Sequence, residues 1–389
     1  MPRIYLDYNA TTPLDPIVLE EAVNALKNFS GNPSSVYEEG RAARILIEDS
    51  RDFVKSFLDA GGGDEVIFTS SGSESINLAI IGAVYAYKRL NKSETPHIIT
   101  SRVEHHAVLN TFKFLETRGV ETTYIGINEF GELIMDDLIS SIKENTVLIS
   151  IMGANNETGT LFPLKQILKT VKNIKDDILF HSDMVQVIGK TGFSLNNIPL
   201  DLCSFSGHKF YALKGCGALY IKKGVTIDPV IYGGHQERGL RAGTENTAGI
   251  VSIAKGLGVF QNNMNNELKR IGAFGEIFLD RLFSAMEGIR LNGHPVNRLK
   301  NTINVSFDGV RAESLLFNLD LYGISASAGS ACNAGAISLS HVLKAHGYSI
   351  NRIESAVRFS IGRFTTMDDL DYAISAIKEA VLKLRTDSA

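Results

Sequence analysis

From about residue 64 onward, the chain alternates between two hydrophobic rhythms. Short apolar, β-branched runs such as "EVIFT", "HIITS" and "TVLISIM" are each followed by a stretch with apolar residues at helical spacing. These stretches are "SESINLAIIGAVYAYKRL", "HAVLNTFKFLETRG" and, after a turn, "LKQILKTVKNI". "ILFHS", "DLCSFS" and "GALYIKK" continue the strand-like series. The alternation predicts a mostly parallel sheet with helices on both faces. A long helical stretch then runs from about Asn246 to Met286, with a break expected near Gly256–Gly258. Beyond it, "NTINVSF" and "AVRFSI" read as strands and "MDDLDYAISAIKEAVLKLR" as a last helix. The expected organisation is a large α/β domain over 15–258. Residues 1–14 and 259–389 form a smaller α+β domain, and there is no internal repeat.

Composition narrows the class. The 389 residues carry a formal charge of −4, with no bias towards nucleic acid or an anionic membrane. No apolar run approaches the roughly 20 residues of a membrane-spanning helix. The opening "MPRIYLDYNATTP" has neither a signal-peptide nor a transit-peptide pattern, so a cytoplasmic protein is expected. The three cysteines are too widely separated for a disulfide framework or a zinc site. Cys203 in "LDLCSF" and Cys216 in "KGCGALYI" read as buried strand residues. Cys332 differs, because its surroundings, "GSACNAG", offer only small residues and no bulky neighbour.

The polar residues gather at one topological place. In an open parallel sheet, ligands bind beyond the carboxyl ends of the strands. "SSGSES", "EHH", "ANNETG", "DMVQ" and "SGHK" each follow a predicted strand. Lys209, at the end of an apolar strand, is suited to losing its proton and forming a Schiff base with a carbonyl cofactor. Asp183 is placed to pair with a protonated pyridine nitrogen, the partner that pyridoxal phosphate requires. "SSGSES" opens a helix whose N–H groups, hydroxyls and dipole suit a phosphate, and it lacks the GK[ST] ending of a nucleotide loop. The adjacent histidines of "EHH" lack metal-ligand spacing. A single histidine over a cofactor ring, available for proton transfer, fits better than a metal.

"SFSGHKFY", "FHSDMVQVIGK", "EHHAVL", "ANNETG", "ERGLRAGTEN", "GSAC" and "VRFSIGRFTT" together resemble the PLP-dependent cysteine desulfurases, in the family's order and over nearly the whole chain. The resemblance implies PLP-dependent transferase fold type I, aspartate-aminotransferase-like, with a mostly parallel seven-stranded central sheet. It also implies a homodimer and conversion of L-cysteine to L-alanine. In this correspondence Lys209 carries the cofactor, and His105 stacks on its ring and serves in proton transfer. Asp183 pairs with the ring nitrogen, while Gln186 and Asn156 surround the phenolic oxygen. Gly72, Ser73, Ser206 and His208 hold the phosphate, and Thr244 reaches the phosphate of the other subunit. Arg358, with Asn156, holds the substrate carboxylate, and Cys332 is the nucleophile that takes the sulfur.

The 25 residues between Cys332 and Arg358 resemble the branch with a long active-site loop, here about 327–340. That branch supplies sulfur to acceptor proteins for iron–sulfur clusters and tRNA thiolation. Gly329, Gly335 and the alanines suit a flexible carrier arm. Tyr37, Ser71 and His235 depart from the family's usual residues, with altered local packing expected. With the ending "LRTDSA", the tail by which some members dock a cluster scaffold is expected to be missing. A selenocysteine lyase or another aminotransferase-fold enzyme is the competing enzymatic reading. A catalytically silent partner-binding scaffold is the alternative from a different class; loss of the lysine, aspartate or cysteine would support it, and all three are present.

Overall fold

A computed structural model describes residues 3–91, 94–329 and 339–387. The chain opens with β1 (Ile4–Tyr5) and helices α1 (Pro16–Asn28) and α2 (Glu38–Phe57). The alternating region follows: β2 (Glu65–Thr69), α3 (Gly72–Leu90), β3 (His97–Ser101), α4 (His106–Glu116), β4 (Glu121–Ile125), α5 (Met135–Ser141), β5 (Thr146–Ser150), α6 (Leu164–Ile174), β6 (Leu179–Asp183), β7 (Leu202–Ser206) and β8 (Gly217–Ile221). Helix α7 (Thr247–Ala285) leads to β9 (Ile289–Leu291), β10 (Thr302–Phe307), α8 (Ala312–Leu321) and β11 (Ile324–Ser325). Then come α9 (His341–Ala345), α10 (Ile350–Glu354), β12 (Ala356–Ser360) and α11 (Met367–Asp387).

Seven strands form the main sheet in the order β2-β8-β7-β6-β5-β3-β4. Only β8 runs antiparallel to its neighbours; the other pairs are parallel. Every residue of β3, β5, β7 and β8 is buried, as expected of strands covered on both faces. Successive residues enter opposite cores, because side chains alternate across a strand. Ile99, Ile149 and Cys203 join one core, and Ile98, Leu148 and Leu202 join the other beneath α3 and α4. The apolar runs of the sequence therefore encode a sheet with no solvent face. The periodicity reading passes over β4, the partly exposed edge strand, whose polar "ETTYI" lacks that signal.

A second, antiparallel sheet, β12-β10-β9, packs with α8 and α11 around Val305, Phe307, Val357, Phe359, Leu315 and Ile377. Strand β1 pairs in parallel with β11, which carries the N-terminal chain to this side. Helix α7 connects the two cores: Ile250, Ile253 and Leu257 belong to the first, and Phe278 and Leu282 to the second.

Two local expectations are corrected. Helix α7 runs unbroken for 39 residues through Gly256–Gly258. A Cβ at Gly256 would lie 3.0 Å from the Phe210 carbonyl oxygen, and one at Gly258 3.3 Å from the Phe53 ring. These glycines permit close approach, and packing of the helix outweighs their weak propensity. Cys216 is buried as expected, but it directly precedes β8 instead of lying within it. No described helix is long and apolar enough to cross a membrane.

Candidate active site

The carboxyl ends of β2, β3, β5, β6 and β7 open on one cavity of about 220 Å³. Asp183 is the last residue of β6 and is 5% exposed. Its carboxylate accepts from the Val185 N–H at 2.9 Å. Burial pushes its pKa up to about 6, opposed by that hydrogen bond and by the charge of Lys209. Lys209 sits on the single 3-10 turn after β7, Gly207–Lys209. Its Nζ donates to the backbone oxygens of Asn9 at 2.6 Å and Ala10 at 2.7 Å.

His105 caps the N-terminus of α4, where its Nδ1 accepts from the Ala107 N–H at 3.1 Å. The ring proton of the neutral imidazole therefore sits on Nε2. Burial, and then the charge of Lys209, push its pKa down to about 4, so the ring is neutral at pH 7. His106 turns elsewhere and lies against the ring of His341, at 4.6 Å between centroids. His208 meets the Thr11 hydroxyl at 3.1 Å, and burial with neighbouring lysines also lowers its pKa to about 4.

At the cavity's other end, α3 presents its N-terminus. Ser71 caps this 19-residue helix by accepting from the Glu74 N–H. Gly72 and Ser73 follow, beside Ser206. A Cβ at Gly72 would lie 2.9 Å from Val185 and 3.3 Å from Ser206, so only glycine leaves the helix end open. The backbone donors and the helix dipole together suit an anion there.

Arg358 enters from the other sheet, in the middle of β12, with its side chain 2% exposed. Its Nη2 pairs with Asp7 at 2.7 Å, its Nη1 donates to the Asn156 carbonyl oxygen at 2.9 Å, and its buried Nε has no hydrogen-bond partner among the described residues. Gly72, Ser73, His105, Asn156, Asp183, Gln186, Ser206, His208, Lys209 and Arg358 all line the one cavity. Thr244 is exposed and does not line it. Cys332 and most of the expected 327–340 loop lie outside the described residues.

Sequence reasoning misses Asp7, Asn9 and Ala10, which the tertiary fold brings to Arg358 and Lys209. Their stretch, "LDYNATTP", carries the polar and turn-forming residues of a surface loop, and only its presence in the family's opening motif singles it out. Ser71, expected to affect packing alone, both caps α3 and lines the cavity.

The description "Aminotransferase class-V" matches residues 4–373. Over 386 residues the chain is 43% identical to Cysteine desulfurase IscS of Dictyoglomus turgidum, covering 99% of this chain and 96% of the relative. The chain belongs to the pyridoxal-phosphate-dependent cysteine desulfurases. A solved NifS-like protein superposes with a TM-score of 0.90 at 35% identity, covering 97% of this chain and 98% of that one. "SspA in complex with cysteine" superposes with a TM-score of 0.77 at 32% identity, covering 93% and 100% respectively.

The cavity fits the cofactor that this desulfurase family uses. A buried carboxylate with a raised pKa gains from a cationic partner such as a pyridinium nitrogen. The open N-terminus of α3 suits a phosphate. Lys209 and the neutral ring of His105 line the same cavity, where an aldehyde and an aromatic ring need them.

Proposed function

We propose that the chain converts L-cysteine to L-alanine as a cytoplasmic homodimer, with Cys332 receiving the sulfur as a persulfide. The sulfur then goes to an acceptor protein serving iron–sulfur cluster assembly or tRNA thiolation. The observation that carries the reading is one cavity walled by Asp183, Lys209 and Arg358, contributed by both sheets. A related structure described as a complex with cysteine supports the substrate. The domain division at 15–258 belongs to the same proposal, since closing the cavity takes residues from both sides of it.

When bound, the cofactor supplies an electron sink for the pair released at the substrate Cα. Asp183 holds the ring nitrogen in its protonated form. Gly72, Ser73, Ser206 and His208 hold the phosphate, and Thr244 completes that site in the second subunit. Arg358 receives the substrate carboxylate, with its guanidinium plane fixed by Asp7 and Asn156. Lys209 takes the Cα proton through Nζ and returns a proton later in the cycle. His105, neutral and protonated on Nε2, assists the transfer at that atom. The Cys332 thiolate attacks the substrate sulfur. The Cβ–S bond breaks with its electron pair left on carbon, and protonation of that carbon completes L-alanine.

Persulfide trapping and alanine assay on wild type and Cys332→Ala test the sulfur step. Loss of both products of cysteine turnover is expected, and full sulfur release by Cys332→Ala overturns the nucleophile assignment. Lys209→Ala should lose both turnover and the visible absorption of the attached cofactor; an unchanged band overturns that attachment.

A further inference from the structure

Lys190 closes the stretch "DMVQVIGK", four residues after Gln186, and the roles assigned above leave it without a task. Its Nζ donates to Gln186 Oε1 at 2.5 Å and to Asn9 Oδ1 at 2.9 Å. The Asn9 backbone carbonyl can only accept, so the amide end that meets it is the nitrogen, and the end that Lys190 reaches is the oxygen. The Gln186 nitrogen faces away, donating one N–H to the Asn9 backbone oxygen at 3.1 Å. An amide has a second N–H, and Gln186 lines the cavity.

Asn9 is the shared anchor. Its backbone oxygen also accepts from Lys209 Nζ, and its backbone N–H donates to Ser360 Oγ at 2.9 Å. Its Nδ2 donates to Thr302 Oγ1 at 2.8 Å. The two lysines thus end on the same residue, Lys190 on its side chain and Lys209 on its backbone. The charged groups acting on Lys190 are Lys209, Arg358 and Asp7, and His208 feels its charge in return. Burial, Lys209 and Arg358 push its pKa well below the usual lysine value, while Asp7 pushes it up. Both hydrogen bonds need only two N–H groups, which a neutral amine also possesses.

We infer that Lys190 is a positioning residue, locking the Gln186 amide with its N–H side towards the cofactor cavity while holding Asn9 beside Lys209. The inference rests on the proposed pairing of Gln186 with the cofactor's phenolic oxygen. Without Lys190, the amide oxygen loses its donor and only the contact of Nε2 with the Asn9 backbone oxygen still orients the amide, so the N–H offered to the electron-rich oxygen is no longer held in place and that charge-assisted hydrogen bond weakens.

The test is a double-mutant cycle on the cofactor-loaded protein, reading the pH midpoint of the cofactor's visible absorption band. Lys190→Met should raise the midpoint by about one to two units, the size of one charge-assisted hydrogen bond to an anionic oxygen. Gln186→Ala should raise it comparably, and adding Lys190→Met to Gln186→Ala should change it little further. Lys190→Arg, which keeps N–H donors, should recover at least half of the shift. An unmoved midpoint in Lys190→Met overturns the inference. Fully additive shifts also overturn it, because Lys190 would then act directly and not through Gln186. If Gln186→Ala leaves the midpoint in place, the Gln186 assignment itself fails. Should Lys190→Met not fold, Lys190→Gln enters the same cycle with the same criteria; it is one atom shorter and unable to reach both oxygens.

Discussion

Arg358→Lys tests whether the buried guanidinium recognises the substrate carboxylate. In wild type, Nη2 is held by Asp7 at 2.7 Å and Nη1 by the Asn156 oxygen at 2.9 Å, so the plane of the fork is set before substrate arrives. The buried Nε has no hydrogen-bond partner among the described residues, leaving donor capacity beside the cavity. Lysine keeps the charge and the pair with Asp7 but offers a single nitrogen in place of a planar fork. The loss is therefore about one charge-assisted hydrogen bond, roughly 1.5–3 kcal/mol. At about 1.4 kcal/mol per tenfold, binding of a carboxylate-bearing amine weakens by roughly 10- to 150-fold. Spectral titration with L-alanine and with ethylamine, which lacks the carboxylate, separates this effect from general damage. L-Alanine should weaken by that factor, with ethylamine within about twofold of wild type and the cysteine defect mainly in KM. Equal weakening of both amines, or of neither, refutes the reasoning.

Three further outcomes are expected. Glu237 and Arg51, 3% and 2% exposed, form a two-pronged ion pair at 2.8 Å that also satisfies the Val66 oxygen and the Phe68 N–H on the free edge of β2. Glu237→Gln should cost about 3–5 kcal/mol in urea unfolding, and a loss below about 1 kcal/mol would contradict a buried-charge role. Glu104 accepts from Ser101 Oγ and the Met152 N–H on one oxygen, while its other oxygen is buried without a partner among the described residues; burial pushes its pKa up to about 8. The folded state then binds more protons than the unfolded one from about pH 4.5 to about pH 8, so this group's stabilisation is lost as pH rises through that window. Glu104→Gln should flatten that slope in urea midpoints, and an unchanged slope refutes the assignment. Gly275→Ala should lower the melting temperature, because a methyl there overlaps the Lys300 carbonyl oxygen where α7 packs against the second core; an unchanged temperature would mean that this approach is not tight.

Legibility followed the range of the interactions. Asp183, His105 and Lys209 could be found because each lies at or within four residues of the end of an apolar strand, and strand ends in a parallel sheet converge without any knowledge of packing. Arg358 could not be found in this way. "AVRFS" reads as core strand, and its arginine gains meaning only when the second sheet meets the first. Asp7 and Arg358 are 351 positions apart, as are Asn9 and Ser360. The break expected in α7 was wrong for the same reason: glycine spacing is local, whereas the Phe210 and Phe53 surfaces that require it are not.

The residues alone carry the strand–helix alternation, the sheet with two buried faces and the chemistry clustered at one end of it. These depend on side-chain period and strand direction, which a linear pattern encodes. Packing decides how that chemistry is held: Asp7 against Arg358, Asn9 beneath Lys209, and Lys190 behind Gln186. Burial also makes His105 neutral and raises the pKa of Asp183, because desolvation acts on a charge only after distant segments have closed over it.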